Sequence, residues 1–172
     1  VLLKANEPFR GELCGTVAEL IEVPEDYLTA AEIALAGALQ HVVTKTDDAA
    51  KKAIAFLKRQ PAGRATFLPL STIQPPILRQ QERDAANEPG ILGRLSDFIR
   101  CADVYRPVVE FLTRRTLLAE SIDAAIACAK KHQFRVRIVT LEGDLVNPGG
   151  SMSGGSQGKR DTGLLSRQVV LA

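Results

Sequence analysis

The apolar residues alternate between a strand-like and a helical period along the chain. Val17, Leu20 and Ile21 form a strand-like stretch that ends at Pro24, a residue suited to a helix's first turn. Ala31, Ala34, Leu35 and Ala38 then recur at helical spacing, and Val42-Val43 reads as a short strand. Thr46 is placed to cap a helix with Ala50, Ala53, Ile54 and Leu57 on its inner face, and Gly63 closes the connection to a strand at Phe67. The expected architecture is α/β, with small mixed sheets flanked by helices.

The pattern then returns. Residues 13–27, LCGTVAELIEVPEDY, align without a gap on residues 91–105, ILGRLSDFIRCADVY. Gly15 matches Gly93, Glu19 matches Asp97, Ile21 matches Ile99, and Tyr27 matches Tyr105, 78 positions on. Glu32 and Glu110 keep that register, and after a three-residue deletion Asp48-Ala49-Ala50 stands opposite Asp123-Ala124-Ala125. Both units end in a basic residue and an apolar run, Arg64 to Leu68 and Arg137 to Leu141. Ser121 takes the capping role in the second unit, with Ile122, Ala125, Ile126 and Ala129 facing inward. Two related subdomains are expected, spanning residues 11–74 and 91–162. Residues 75–90, within a stretch carrying Pro75-Pro76 and Pro89-Gly90, read as a linker or long surface loop in which Gln80 to Ala86 form a helical turn.

The densest chemical signal is the segment 143–156, GDLVNPGGSMSGGS. A phosphate cradle is the first reading, but neither G-x-x-x-x-G-K-[ST] nor G-x-G-x-x-G occurs: before Gly158-Lys159 the first glycine position holds Ser153, and the last position holds Arg160. The second reading is a flexible Gly/Ser linker, against which stand the apolar Leu145, Val146 and Met152. The third is a strand edge whose glycines allow close backbone pairing with another chain. Periodicity leaves the last two open.

RIVTLEGDLVNPGGSMSGGS, preceded by GRATFLPL at Gly63 to Leu70 and by GTVAELIEVPEDY at Gly15 to Tyr27, closely resembles the hinge domain of bacterial SMC proteins, the structural-maintenance-of-chromosomes ATPases. The resemblance runs from about Gly11 to Gln168. It implies the SMC hinge fold, two pseudo-related subdomains at the turning point of a long antiparallel coiled coil, paired into a two-fold, ring-like homodimer. Gly143, Gly149, Gly150, Gly154 and Gly155 would serve the subunit contact. It also implies weak, sequence-independent contact with single- or double-stranded DNA, for which Lys159 and Arg160 are candidates and Arg10 a poorer one. Residues 1–10 and 163–172 would be stubs of the coiled-coil arms. Arg114-Arg115 depart from the family, where a Gly and a small polar residue are frequent, and Ala36 replaces a frequent Gly. The implied role is non-enzymatic, without cofactor, in chromosome condensation and segregation, in the cytoplasm and associated with the nucleoid. ATP hydrolysis would belong to head domains.

Composition narrows the alternatives. With 45% apolar and 24% charged residues among 172, the chain can bury a sizeable core, which excludes a disordered tail or a bare coiled coil. The net charge of +2 is unevenly placed: residues 1–75 carry eight basic and nine acidic side chains, and residues 76–172 fourteen and eleven. Cys14, Cys101 and Cys128 form no C-x-x-C pair and read as small core residues in a reducing compartment, and with only His41 and His132 no metal site is expected. No apolar stretch approaches the span of about 20 residues that a membrane helix needs. The start at Val1, without Met or a targeting signal, suggests a piece of a longer protein that is neither membrane-inserted nor secreted. The competing functional reading is a phosphate- or nucleotide-handling α/β enzyme using the glycine loop. No Ser-His-Asp arrangement supports it, and Glu19 and Asp97 are matching repeat positions rather than a catalytic pair.

Overall fold

The computed structural model describes residues 8–61 and 63–156. Strands β1 (Leu13–Thr16), β3 (Val42–Thr44) and β4 (Phe67–Pro69) form a three-stranded sheet in the order β1-β3-β4, the first pair antiparallel and the second parallel. Strands β5 (Ile91–Arg94), β7 (Leu117–Ala119) and β8 (Ile138–Thr140) repeat that arrangement, and β9 (Leu145–Val146) and β10 (Met152–Ser153) extend it to the order β10-β9-β8-β7-β5. The helices are α1 (Val17–Leu20), α2 (Glu25–Leu35), α3 (Asp47–Lys58), α4 (Gln80–Ala85), α5 (Arg106–Thr113) and α6 (Ile122–Lys131).

The repeat extends to backbone detail. Pairing is irregular between Leu13 and Gly15 in β1 and between Ile91 and Gly93 in β5. Both glycines have positive φ, 135° and 145°, as a bulge of this kind favours. The caps of α3 and α6 also match: Thr46 accepts from the Ala49 amide, and Ser121 from the Ala124 amide, each at 3.1 Å. The units meet in a two-stranded antiparallel ladder between β2 (Ile21–Glu22) and β6 (Arg100–Cys101). There Glu22 pairs with Arg100, its own counterpart at the offset of 78, so a local pseudo-two-fold axis runs through the ladder.

The inner strands β3, β7 and β8 are buried along their whole length, which matches their wholly apolar or Thr-ended sequences. Val43, Leu68, Leu118 and Val139 point into one central core, where α2 supplies Ala30, Ala31, Ala34 and Leu35 and α5 supplies Val108 and Val109. On the opposite faces, Val42 packs with Phe9, Ala53 and Leu57 under α3. Leu117, Ala119 and Ile138 pack with Ala125, Cys128 and Ala129 under α6. The central core draws on both units, so neither sheet closes its inner face alone.

Two expectations are corrected. Val17 and Leu20 belong to a helical turn, not a strand. Thr16 and Glu19 form a reciprocal capping box, with the Thr16 amide donating to Glu19 Oε1 at 2.8 Å, and the strand character is confined to β1 and β2. Ile54 does not face inward but is 41% exposed on α3. The helical turn expected at Gln80 to Ala86 is present as α4, whose Ala85 is buried against α6, and Gln81 donates to the His132 carbonyl at 3.1 Å. At the other end, Phe9 is buried within a 3-10 turn (Pro8–Glu12), so the packing of the first unit begins ahead of residue 11.

Candidate subunit interface at two open strand edges

The glycine segment is a β-hairpin. Thr140 and Gly143 close the β8–β9 turn through an amide-to-carbonyl bond of 2.9 Å, and the Asp144 amide donates to Thr140 Oγ1 at 3.0 Å. Asn147 to Ser151 form the second turn, where the Asn147 amide donates to the Ser151 carbonyl at 2.8 Å and the Gly149 amide to the Phe134 carbonyl at 2.8 Å. The returning strand β10 is the outermost of its sheet. Met152, large and apolar, is 49% exposed on it.

The implied contact glycines differ in what they do within one chain. Gly143 is buried and shapes the β8–β9 turn, so its part is to aim the hairpin. At Gly154 an added Cβ would run into the Asp144 carboxylate, which also accepts from the Gly155 amide at 3.4 Å. Gly149, Gly150 and Gly155 lie at the surface, and nothing stands within 4 Å of where a Cβ would project at Gly149 or Gly155. Lys159 and Arg160 lie outside the described residues. Arg10 is exposed in the 3-10 turn of the first unit, on a different unit from the hairpin.

A second open edge was not read from the sequence. In the second unit, β9 flanks β8, and Val146 is fully buried with Ile138, Cys128 and Ala129. In the first unit, among the described residues, the equivalent flank of β4 carries no strand. A groove of about 480 Å³ runs there between α3 and β4, with Ile54, Ala55, Ala65 and Phe67 on its walls and Lys51 and Lys58 at its rim. Ile54 corresponds to Ala129 at the offset of 75, yet one is exposed and the other fully buried.

The chain matches the model of the SMC proteins flexible hinge domain over residues 10–129. The chain belongs to the SMC hinge family. Chromosome partition protein Smc of Desulfitobacterium hafniense is 44% identical over 164 residues, covering 95% of this chain and 14% of that protein. The protein of the same name from Bacillus subtilis is 45% identical over 171 residues, 99% of this chain and again 14% of the relative. This hinge therefore spans about one seventh of those relatives' length. Among solved structures, an asymmetric dimer of the Geobacillus stearothermophilus SMC hinge domain superposes with a TM-score of 0.81 at 40% identity, covering 91% of this chain and 63% of that one. The Pyrococcus furiosus SMC hinge domain gives 0.68 at 33% identity, with coverage of 86% and 76%.

Glu19 is committed to its capping box, and Asp97 is exposed on a 3-10 turn (Leu95–Phe98). Burial raises the pKa of the Cys101 thiol above its usual range and pushes that of Cys128 up to about 11. Among the described residues no cluster of His, Cys, Asp and Glu could hold a metal ion, and no helix is long and apolar enough to cross a membrane.

Proposed function

We propose that the chain is the homodimerisation hinge of an SMC chromosome condensation and segregation protein. The observation that carries this is the unequal treatment of two repeat-related edges. The β8 edge is covered by its own hairpin, whereas among the described residues no strand pairs with the outer edge of β4 and the apolar groove beside it is open. In this reading the β10 edge of one protomer lies along β4 of its partner. Two-fold symmetry makes the contact twice, closing a ring and removing both open edges from solution. The surface glycines 149, 150 and 155 let the two backbones approach. The similarity to a hinge solved as a dimer supports this reading.

The dimer would join two coiled-coil arms in the cytoplasm, at the nucleoid. The module itself is non-catalytic and carries no phosphate-binding motif, and ATP hydrolysis belongs to the heads of the full-length protein. DNA is contacted weakly and without sequence preference through Lys159 and Arg160, with Arg10 as a lesser contributor.

Ile54→Lys tests the interface. The residue is already exposed, so folding is retained, while two copies of an otherwise buried isoleucine are lost per dimer, about 3 kcal/mol or more and at least a hundredfold in Kd. Light scattering should give the mass of two chains for the wild type and one for the variant. A variant that stays dimeric overturns the interface. For DNA, Lys159→Glu combined with Arg160→Glu should lower the slope of log affinity against log salt by about two in mobility-shift titrations. An unchanged slope removes these residues from the contact.

A further inference from the structure

A pocket of about 180 Å³ opens where the chain ahead of α4, the turn after α5 and the start of β8 come together. Five arginines line it, Arg79, Arg114, Arg115, Arg135 and Arg137, against one carboxylate, Glu82. Glu82 is 1% exposed and shared, with Arg79 Nε at 2.9 Å and Arg115 Nε at 3.2 Å from the same oxygen. Its single charge offsets one of those two cations. Arg137 donates to Thr116 Oγ1 at 3.0 Å and to the Ala34 carbonyl at 3.2 Å, neutral acceptors that orient its guanidinium without balancing it. None of the ion pairs among the described residues engages Arg114, Arg135 or Arg137. Burial, and then the neighbouring Arg114, loosen the hold of Arg137 on its proton, as expected where positive charge is not compensated.

The backbone adds an independent observation. Arg114 and Arg115 have φ of 54° and 107°, two successive residues with long side chains in the region that favours glycine. Unpaired like charges brought together at conformational cost are what a preorganised anion site requires. The geometry points to this pocket as a binding site for a phosphate group, held by the guanidinium groups of Arg114, Arg135 and Arg137. The phosphate's source is either a nucleic-acid backbone or a free polyphosphate. The site uses none of the residues assigned to the dimer or DNA contacts above and stands without them.

The test is calorimetric titration of the chain at low ionic strength with pyrophosphate and, separately, with a short DNA duplex. The variant is Arg114→Gly with Arg135→Gln. Both side chains are exposed, and glycine suits the φ at 114, so its thermal midpoint should equal or exceed that of the wild type. Loss of two charge-assisted contacts should weaken binding about tenfold or more. A control, Lys45→Gln with Arg59→Gln, removes the same charge from the first unit and should change affinity far less. A variant-specific loss for pyrophosphate identifies free polyphosphate as an occupant, and a loss for DNA alone identifies the backbone. If neither affinity falls, or if both double variants lose equally, the site is overturned.

Discussion

His41 shows how a single side chain couples this fold to pH. It lies at the start of β3, where its carbonyl accepts from the Val17 amide at 2.9 Å and its ring Nδ1 is buried without a partner. Burial holds its pKa below 6.5, because the charged ring would lose hydration without gaining an acceptor. The unfolded chain therefore takes up a proton first as the pH falls. The contribution is complete above the unfolded value of about 6.5 and is lost as the pH drops through and below it. Glu88 acts in a different window. The hydrogen bond from Lys131 depresses its pKa, so its contribution disappears only below about 4.5, the ordinary glutamate range. Thermal midpoints measured from about pH 7.5 to about pH 5 should fall for the wild type and fall less for His41→Gln. Equal slopes would remove His41 as the cause. Thr16 makes a complementary point about legibility. The Thr-x-x-Glu spacing of a capping box stands in the sequence, but the apolar Val17 and Leu20 beside it also fit a strand, and only the closed box decides for a helical turn.

Among the elements, those with several turns and a cap were legible and those of two residues were not. Helices α3 and α6 announce themselves through Thr46 and Ser121, each cap being worth about 1 kcal/mol, and through small apolar residues at helical spacing. Strands β2, β6, β9 and β10 are too short to carry a period. The glycine segment left a flexible linker and a strand edge equally open. The hairpin bonds to Thr140, Phe134 and Asp144 make it an ordered edge. The misreading of Ile54 has the same origin. A helical stripe shows which residues are apolar, but whether its flank meets a strand of the same chain depends on the neighbouring sheet. In the second unit that strand is β9; in the first none of the described residues supplies it, and in the proposed dimer a partner does. At the turn ending α5 two arginines adopt positive φ beside three more. The charges were visible in the sequence, but their convergence was not.

The whole molecule is two copies of one supersecondary unit folded around a common interior. Tyr27 of the first unit packs on Phe98 of the second with ring centroids 4.5 Å apart, and Cys14 of the first and Tyr105 of the second pack against the same central core. Ile21 is 2% exposed in the ladder that joins the units, so Ile21→Ala should lower stability by about 2–5 kcal/mol. The loss should appear as one earlier transition, with calorimetric and van't Hoff enthalpies agreeing. Two separated transitions would show that the units unfold independently. What the sequence by itself determined was local or repeated: the α/β order, the caps, the doubled unit and the family, since these depend on residues near one another or on a pattern stated twice. What only the tertiary structure decided was which strand edges remain open, which helix flank lacks a cover and which arginines share a pocket. Those properties belong to residues distant along the chain, and they exist only once the shared core has brought the two units together.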